Sequence, residues 1–162
     1  MFEFLKAESF ISNRQSKKHH VFRSTALTTP TWEDILAHLN RNIVSKAKMK
    51  FLDNLGFVLF DAECMPGVNE LLTEIKALSD QPCSAHCYIS LLETSATFGR
   101  HNDNADVFFW QVQGSTQWRV EQDSQVYEYT LLPNDVIYIP RFAVHEVTPL
   151  TPRAGISIGI DY

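Results

Sequence analysis

The sequence predicts a mostly β protein with a few helices, closed into a double-stranded β-helix, or jelly roll. Residues 84–162 show no helical period. They contain short apolar or alternating runs at 86–93, 99–103, 106–113, 116–121, 126–132, 135–139, 144–148 and 155–161, a pattern typical of a β-sandwich or barrel. The composition, with eleven Phe and three Trp, favours a β-rich interior. A jelly roll also brings strands separated by about forty residues to one mouth, where a small ligand binds.

The first helix is predicted from Trp32. Thr31 and Asp34, three residues apart, have the spacing of a capping box. Four apolar residues then repeat at helical spacing: Trp32, Ile35, Leu36 and Leu39. His38 lies on this helix, and we expect it at the surface.

A second helix is predicted over Val68 to Leu78, opened by Pro66. Short strands are expected at 21–23 and 57–60. With no linker or repeat, we expect a single domain over residues 1–162, in which a helix-containing cover (1–83) packs on a β-roll core (84–162).

The formal net charge of −5 argues against general nucleic-acid binding, which depends on clustered Lys and Arg. The basic stretch 14–23 is interpreted as a solvated edge strand rather than a docking patch. No basic segment leads into an apolar run at the N-terminus, and no run approaches membrane-spanning length. The odd set of three cysteines fits a reducing compartment, with Cys83 and Cys87 as core thiols. We therefore expect a cytoplasmic protein with no membrane partner.

A candidate metal site is formed by His101, Asp103 and His145. In a strand, every second side chain projects from one face, so His101 and Asp103 are expected to point together. His145 follows a turn, an apolar strand and a proline, over 133–140. Two imidazoles and one carboxylate are the facial set that holds Fe(II) in oxygenases and leaves open positions for chemistry. The alternative, that all three are ordinary polar residues on sheet edges, stays open.

Three segments resemble the Jumonji-C and cupin-like 2-oxoglutarate oxygenases, particularly the bacterial ribosomal-protein hydroxylase type. They are Ala85 to Ser90, the stretch from Phe98 to Gly114 followed by Gln117 to Val120, and Pro133 to Pro140 with His145-Glu146. The resemblance implies that His101, Asp103 and His145 bind Fe(II) and that 2-oxoglutarate is the cosubstrate. It also implies oxidative decarboxylation to succinate, coupled to hydroxylation of a nearby C–H bond. A protein substrate is suggested only by this family likeness.

The length of 162 residues leads us to expect that the C-terminal domain with which larger relatives dimerise is missing. A small metabolite is therefore an alternative substrate, and a homodimer stays open.

One position departs from the family pattern. Where the family usually has a Lys or Arg that pairs with the far carboxylate of 2-oxoglutarate, this chain has Thr116, which cannot supply a charge-assisted pair. Arg119 lies on the opposite face by strand alternation. Arg153 is expected on the same strand face as Ser157, opposite the face of Ile156, Ile158 and Ile160. It is therefore the candidate replacement for the missing cation, with Ser157 and Thr116 as additional contacts. The alternative is that Arg153 is a surface loop residue.

Five further residues are candidates near the mouth. The Tyr88 hydroxyl is expected to contact the cosubstrate, and the alternative is that Tyr88 is a core residue. Asn102 and Asn104 flank the ligands and are candidates for orienting them. Arg141 and Glu146 flank the third ligand and are candidates for meeting the substrate.

Two other functions stay open. One is a cupin dioxygenase or isomerase whose substrate itself chelates the metal, without 2-oxoglutarate. The other is a non-catalytic cupin module that binds a metal or a small acid.

Overall fold

The structure is a computed structural model that describes residues 1–43 and 48–161. Within these ranges there are three α-helices, α1 (Glu8–Gln15), α2 (Trp32–Ile43) and α3 (Val68–Ser79), and short 3-10 helices cover Glu3–Lys6 and Ala62–Cys64. The ten strands of the same ranges are β1 (His20–Phe22), β2 (Met49–Leu52), β3 (Gly56–Leu59), β4 (Cys83–Ser90), β5 (Ala105–Gln113), β6 (Thr116–Gln122), β7 (Gln125–Leu131), β8 (Val136–Ile139), β9 (Val144–Pro149) and β10 (Arg153–Asp161). In the described ranges, no helix is long and apolar enough to cross a membrane.

The strands form two antiparallel sheets that face each other. The large sheet has the order β1-β8-β5-β10-β4-β3-β2, and the small sheet has the order β7-β6-β9. The N-terminal part therefore contributes three strands to the large sheet besides its helices. The basic stretch does end in an edge strand, since β1 pairs only with β8 in this order.

The side chains of the large sheet alternate between two cores. On β5, Phe108 and Trp110 pack toward the helices, whereas Val107 and Phe109 point between the two sheets. Ile156, Ile158 and Ile160 on β10 belong to the helix-side core, as the sequence predicted. The residues between them face the interior of the roll.

The capping box that begins α2 is confirmed. The Thr31 backbone N–H donates to Asp34 Oδ2 (2.8 Å), and the Asp34 N–H donates to Thr31 Oγ1 (3.2 Å). The second predicted helix is present as α3, whereas α1 and β2 were not predicted.

Two sequence expectations are wrong. No strand forms over 99–103, where only an isolated bridge joins His101 to His145. His38 was expected at the surface but is 3% exposed, because the Phe60 carbonyl and the Cys64 side chain contact its ring.

Candidate metal centre and cosubstrate cavity

The two histidines of the predicted metal site are brought together by the backbone. The His101 N–H donates to the His145 carbonyl (3.0 Å), and the His145 N–H donates to the His101 carbonyl (2.8 Å). The imidazole centroids are 4.4 Å apart. A reciprocal pair of this kind joins the loop before β5 to the start of β9.

Asp103 completes the group. Its Oδ1 lies 3.8 Å from His101 Nε2, and its Oδ2 lies 3.6 Å from His145 Nε2. One ligand atom from each residue lies within 4.8 Å of the others. The Asp103 carbonyl accepts a hydrogen bond from the Phe142 N–H (2.9 Å), which holds this loop against the turn before β9.

Both rings present a bare Nε2 to the centre. His101 Nδ1 donates to the Gly99 carbonyl (2.9 Å), and His145 Nδ1 donates to the Ala143 carbonyl (3.1 Å). A carbonyl only accepts, so the proton of each neutral ring is on Nδ1 and the lone pair is on Nε2. This is the tautomer and the outer hydrogen bond that metal-binding histidines use.

His145 is the most enclosed of the three residues. It is buried, and Trp118 stacks on its ring with centroids 5.6 Å apart. Burial lowers the pKa of His145, and the nearby His101 lowers it further, against the opposing effects of the Ala143 carbonyl and Asp103. A neutral imidazole, ready to donate its lone pair, is therefore favoured.

A cavity of about 430 Å³ opens onto these three residues. Its walls combine apolar and aromatic side chains with a few polar groups, as in small-molecule sites. The lining residues are Leu52, Phe57, Tyr88, Ile89, Thr97, Phe98, Gly99, His101, Asp103, Val107, Phe109, Trp118, His145, Val147, Arg153 and Ser157.

Arg153 lies in this cavity wall and not on the surface, as it is only 4% exposed. Its Nε donates to Ser90 Oγ (3.0 Å). Its Nη1 is buried and has no hydrogen-bond partner in the described part of the chain. Burial lowers the pKa of the guanidinium to about 10, so it still carries a charge at neutral pH. A buried cation with an unpaired donor destabilises the folded protein unless an anion pairs with it.

Two predicted cosubstrate residues share the cavity with Arg153. Ser157 and Tyr88 both line it, on neighbouring strands. Burial raises the pKa of the Tyr88 hydroxyl to about 12, so this group is a neutral donor.

The structure does not place Thr116 at the cavity. Its hydroxyl donates to Gln111 Oε1 (2.8 Å) and accepts from Trp118 Nε1 (3.1 Å), and it is fully buried. These contacts direct the hydroxyl away from the cavity, so Thr116 is no longer a candidate helper. Arg119 points outward and pairs with Glu121, as strand alternation predicted.

The remaining candidates lie outside the cavity lining. Asn102 is exposed, and Glu146 is half-buried on β9. Asn104 Oδ1 accepts from Arg141 Nε (2.8 Å), which joins the segment after Asp103 to the turn before His145. A positioning or substrate role for these four residues stays a prediction.

Sequence reasoning missed Ser90 and Trp118, the residues that hold Arg153 and His145 in place. Ser90 has the parity of Tyr88 on β4, so strand alternation could have identified it. Strand alternation could not predict that Trp118 stacks on His145, because the sequence does not show that their strands, β6 and β9, pair with each other.

Residues 69–129 match the family model described as the JmjC domain. YcfD, described as a ribosomal oxygenase from Escherichia coli, is similar in structure. Its complex with cobalt and succinic acid has a TM-score of 0.74 at 19% identity, covering 95% of this chain and 51% of that chain. The complex with cobalt and 2-oxoglutarate gives the same values.

A Lactobacillus farciminis oxalate decarboxylase, in a formate complex, has a TM-score of 0.53 at 16% identity, covering 70% of this chain and 31% of that chain. The TM-scores show a shared fold despite the low identities, and the predicted jelly roll is confirmed. This chain spans about half the length of the ribosomal oxygenase. Comparison with curated proteins gives no match.

Proposed function

We propose that this chain, whose residues 69–129 match the JmjC domain model, is an Fe(II)- and 2-oxoglutarate-dependent oxygenase that hydroxylates a protein side chain or a small metabolite. One observation carries the proposal. A single cavity holds both the His101, Asp103 and His145 group and a buried guanidinium with a free donor. In a 2-oxo dicarboxylic acid, the 2-oxo carboxylate end suits the metal group and the other carboxylate suits the guanidinium.

In this proposal His101, Asp103 and His145 hold the metal. Two imidazole nitrogens and one carboxylate suit Fe(II), and the Nδ1 hydrogen bonds to the carbonyls of Gly99 and Ala143 keep the bare nitrogens directed inward. When bound, Fe(II) would supply the open coordination positions at which 2-oxoglutarate, O2 and a C–H bond of the substrate are converted to succinate, CO2 and a hydroxylated product.

Arg153 binds the distal carboxylate of 2-oxoglutarate. Ser90 fixes the guanidinium through Nε, which leaves Nη1 free for the ligand. Charge-assisted hydrogen bonds are stronger than neutral ones, and a buried site strengthens them further. Ser157 and Tyr88 are neutral hydroxyls in the same walls and supply additional hydrogen bonds to the cosubstrate.

The substrate reaches the cavity past Phe98, which lines it and is 43% exposed. The similarity to a ribosomal oxygenase supports a protein side chain as the substrate. Use of 2-oxoglutarate is favoured over a cupin enzyme with an uncharged substrate and over a module that binds a metal alone, because those alternatives leave the buried charge of Arg153 unexplained. A module that binds a small acid would also pair with Arg153, and the test below distinguishes it.

The proposal is tested by mixing the purified protein with Fe(II) and 2-oxoglutarate without oxygen. We expect a weak visible charge-transfer band from the chelate and, once oxygen is admitted, succinate formation. Asp103→Ala should abolish both, whereas Asp123→Ala, at a turn between β6 and β7, should abolish neither. Metal binding without the band would favour a cupin enzyme that does not use 2-oxoglutarate, and a band without succinate would favour a binding module.

A further inference from the structure

A second cluster of reactive groups lies on the helix-covered side of the large sheet. Cys64, in the short 3-10 helix after β3, is exposed, and its Sγ lies 3.2 Å from His38 Nδ1. The imidazole is itself 3% exposed, so only the thiol meets solvent. A nucleophile and a base within hydrogen-bond reach form the arrangement used to activate thiols.

The proton positions suit this role. His38 Nε2 donates to the Phe60 carbonyl (3.3 Å), which places the ring proton on Nε2. The Nδ1 lone pair then faces two donors, the Cys64 thiol (3.2 Å) and the Asn42 amide (3.3 Å). Burial lowers the pKa of His38, so the ring is neutral at neutral pH and keeps a free lone pair. Asn42 donates to the His38 carbonyl (2.9 Å) and keeps this part of α2 in place. The Phe60 carbonyl thus orients the base, as the third member of a catalytic triad does.

A cation stands beside the sulfur. Arg41 Nη2 donates to Cys64 Sγ at 3.8 Å, so a positively charged group borders the sulfur. The two other cysteines lack these features. Cys83 is half-buried, and burial raises the pKa of its thiol, while burial raises the pKa of Cys87 to about 12. Cys64, exposed and next to a base, can therefore be compared with the more enclosed thiols of Cys83 and Cys87 in the same protein.

We propose that Cys64 is a modification site, a nucleophilic thiol with His38 as its base that forms mixed disulfides with small disulfides. His38 Nδ1 takes the thiol proton, and Sγ attacks one sulfur of the disulfide. A new S–S bond forms at Cys64 as the old one breaks, and the departing thiolate receives the proton from His38. Cys64 is oxidised, and half of the small disulfide is reduced to a thiol.

The test is a time course with oxidised glutathione, followed by mass spectrometry of each cysteine-containing peptide. Cys64 should be modified first, and His38→Gln should slow this by roughly tenfold or more, because it removes the base. His19→Gln is the control, since His19 is a hydrogen-bonded, half-buried histidine that contacts Gln122 and Tyr129 instead of a thiol. It should leave the rate unchanged.

Two outcomes would overturn the proposal. One is modification of Cys83 or Cys87 as fast as Cys64 in the native protein. The other is an unchanged Cys64 rate in a His38→Gln protein whose circular dichroism is native. If that variant does not fold, the first outcome alone decides, because the comparison of Cys64 with Cys83 and Cys87 uses the native protein.

Discussion

Arg153→Met removes the charge that we assign to the distal carboxylate of 2-oxoglutarate. Hydrogen bonds to charged groups contribute about 1.5–3 kcal/mol, so the Kd should rise roughly 10- to 150-fold. The side chain is 4% exposed, and its Nη1 has no partner among the described residues, so little bulk water screens the pair. Replacing an unpaired buried charge with an apolar side chain of similar length should not destabilise the ligand-free protein. Weaker binding would therefore not reflect unfolding.

The assay is anaerobic titration of the Fe(II) protein with 2-oxoglutarate and, separately, with pyruvate, which has the 2-oxo acid but no distal carboxylate. Wild type should prefer 2-oxoglutarate, and Arg153→Met should lose this preference while binding pyruvate as before. Arg119→Ala is the control, because that arginine is 40% exposed and pairs with Glu121 at the surface. An unchanged preference in Arg153→Met would refute the assignment.

Four smaller perturbations follow from the same structure. Ser90→Ala removes the acceptor that holds the anchoring guanidinium, and should weaken 2-oxoglutarate binding by about 0.5–1.5 kcal/mol in the same titration. Gly155→Ala places a Cβ 2.1 Å from the Phe109 ring. Overpacking of this kind should lower the free energy of unfolding by about 1–3 kcal/mol in urea denaturation. Thr31→Ala should cost about 1 kcal/mol by the same measurement, because it removes the N-cap of α2. Burial lowers the pKa of His38 in the folded protein. As the pH falls below about 6.5, the His38 ring is therefore protonated in the unfolded chain before it is protonated in the folded protein. The stability of the metal-free protein should therefore decrease from about pH 7 to about pH 5. The decrease should be smaller in His38→Gln, and an equal decrease in that variant would contradict this.

The parts of the fold that follow from strand alternation could be predicted. Ile156, Ile158 and Ile160 pack under the helices, which places Ser157 and Arg153 on the interior face. The period of two is a local property of the chain, and one apolar face is enough to fix which side chains point inward.

The parts that depend on distant backbone contacts could not be predicted. The segment around His101 and Asp103 is positioned by one bridge to His145 and by the Phe142 N–H, not by a regular strand. His38 was expected at the surface because the helical period describes α2 alone. Its burial comes from the segment around Phe60 and Cys64, more than twenty residues further along the chain. Thr116 was misplaced for a different reason, because strand parity does not show that its hydroxyl donates to the Gln111 side chain of the neighbouring strand.

The most direct test of the central claim is a crystal structure of the protein soaked without oxygen in Mn(II) and 2-oxoglutarate. We expect one metal peak in anomalous maps, bound by the Nε2 atoms of His101 and His145 and by the Asp103 carboxylate, with the distal carboxylate of 2-oxoglutarate on Arg153. A metal bound elsewhere, or a 2-oxoglutarate that does not reach Arg153, would contradict the account.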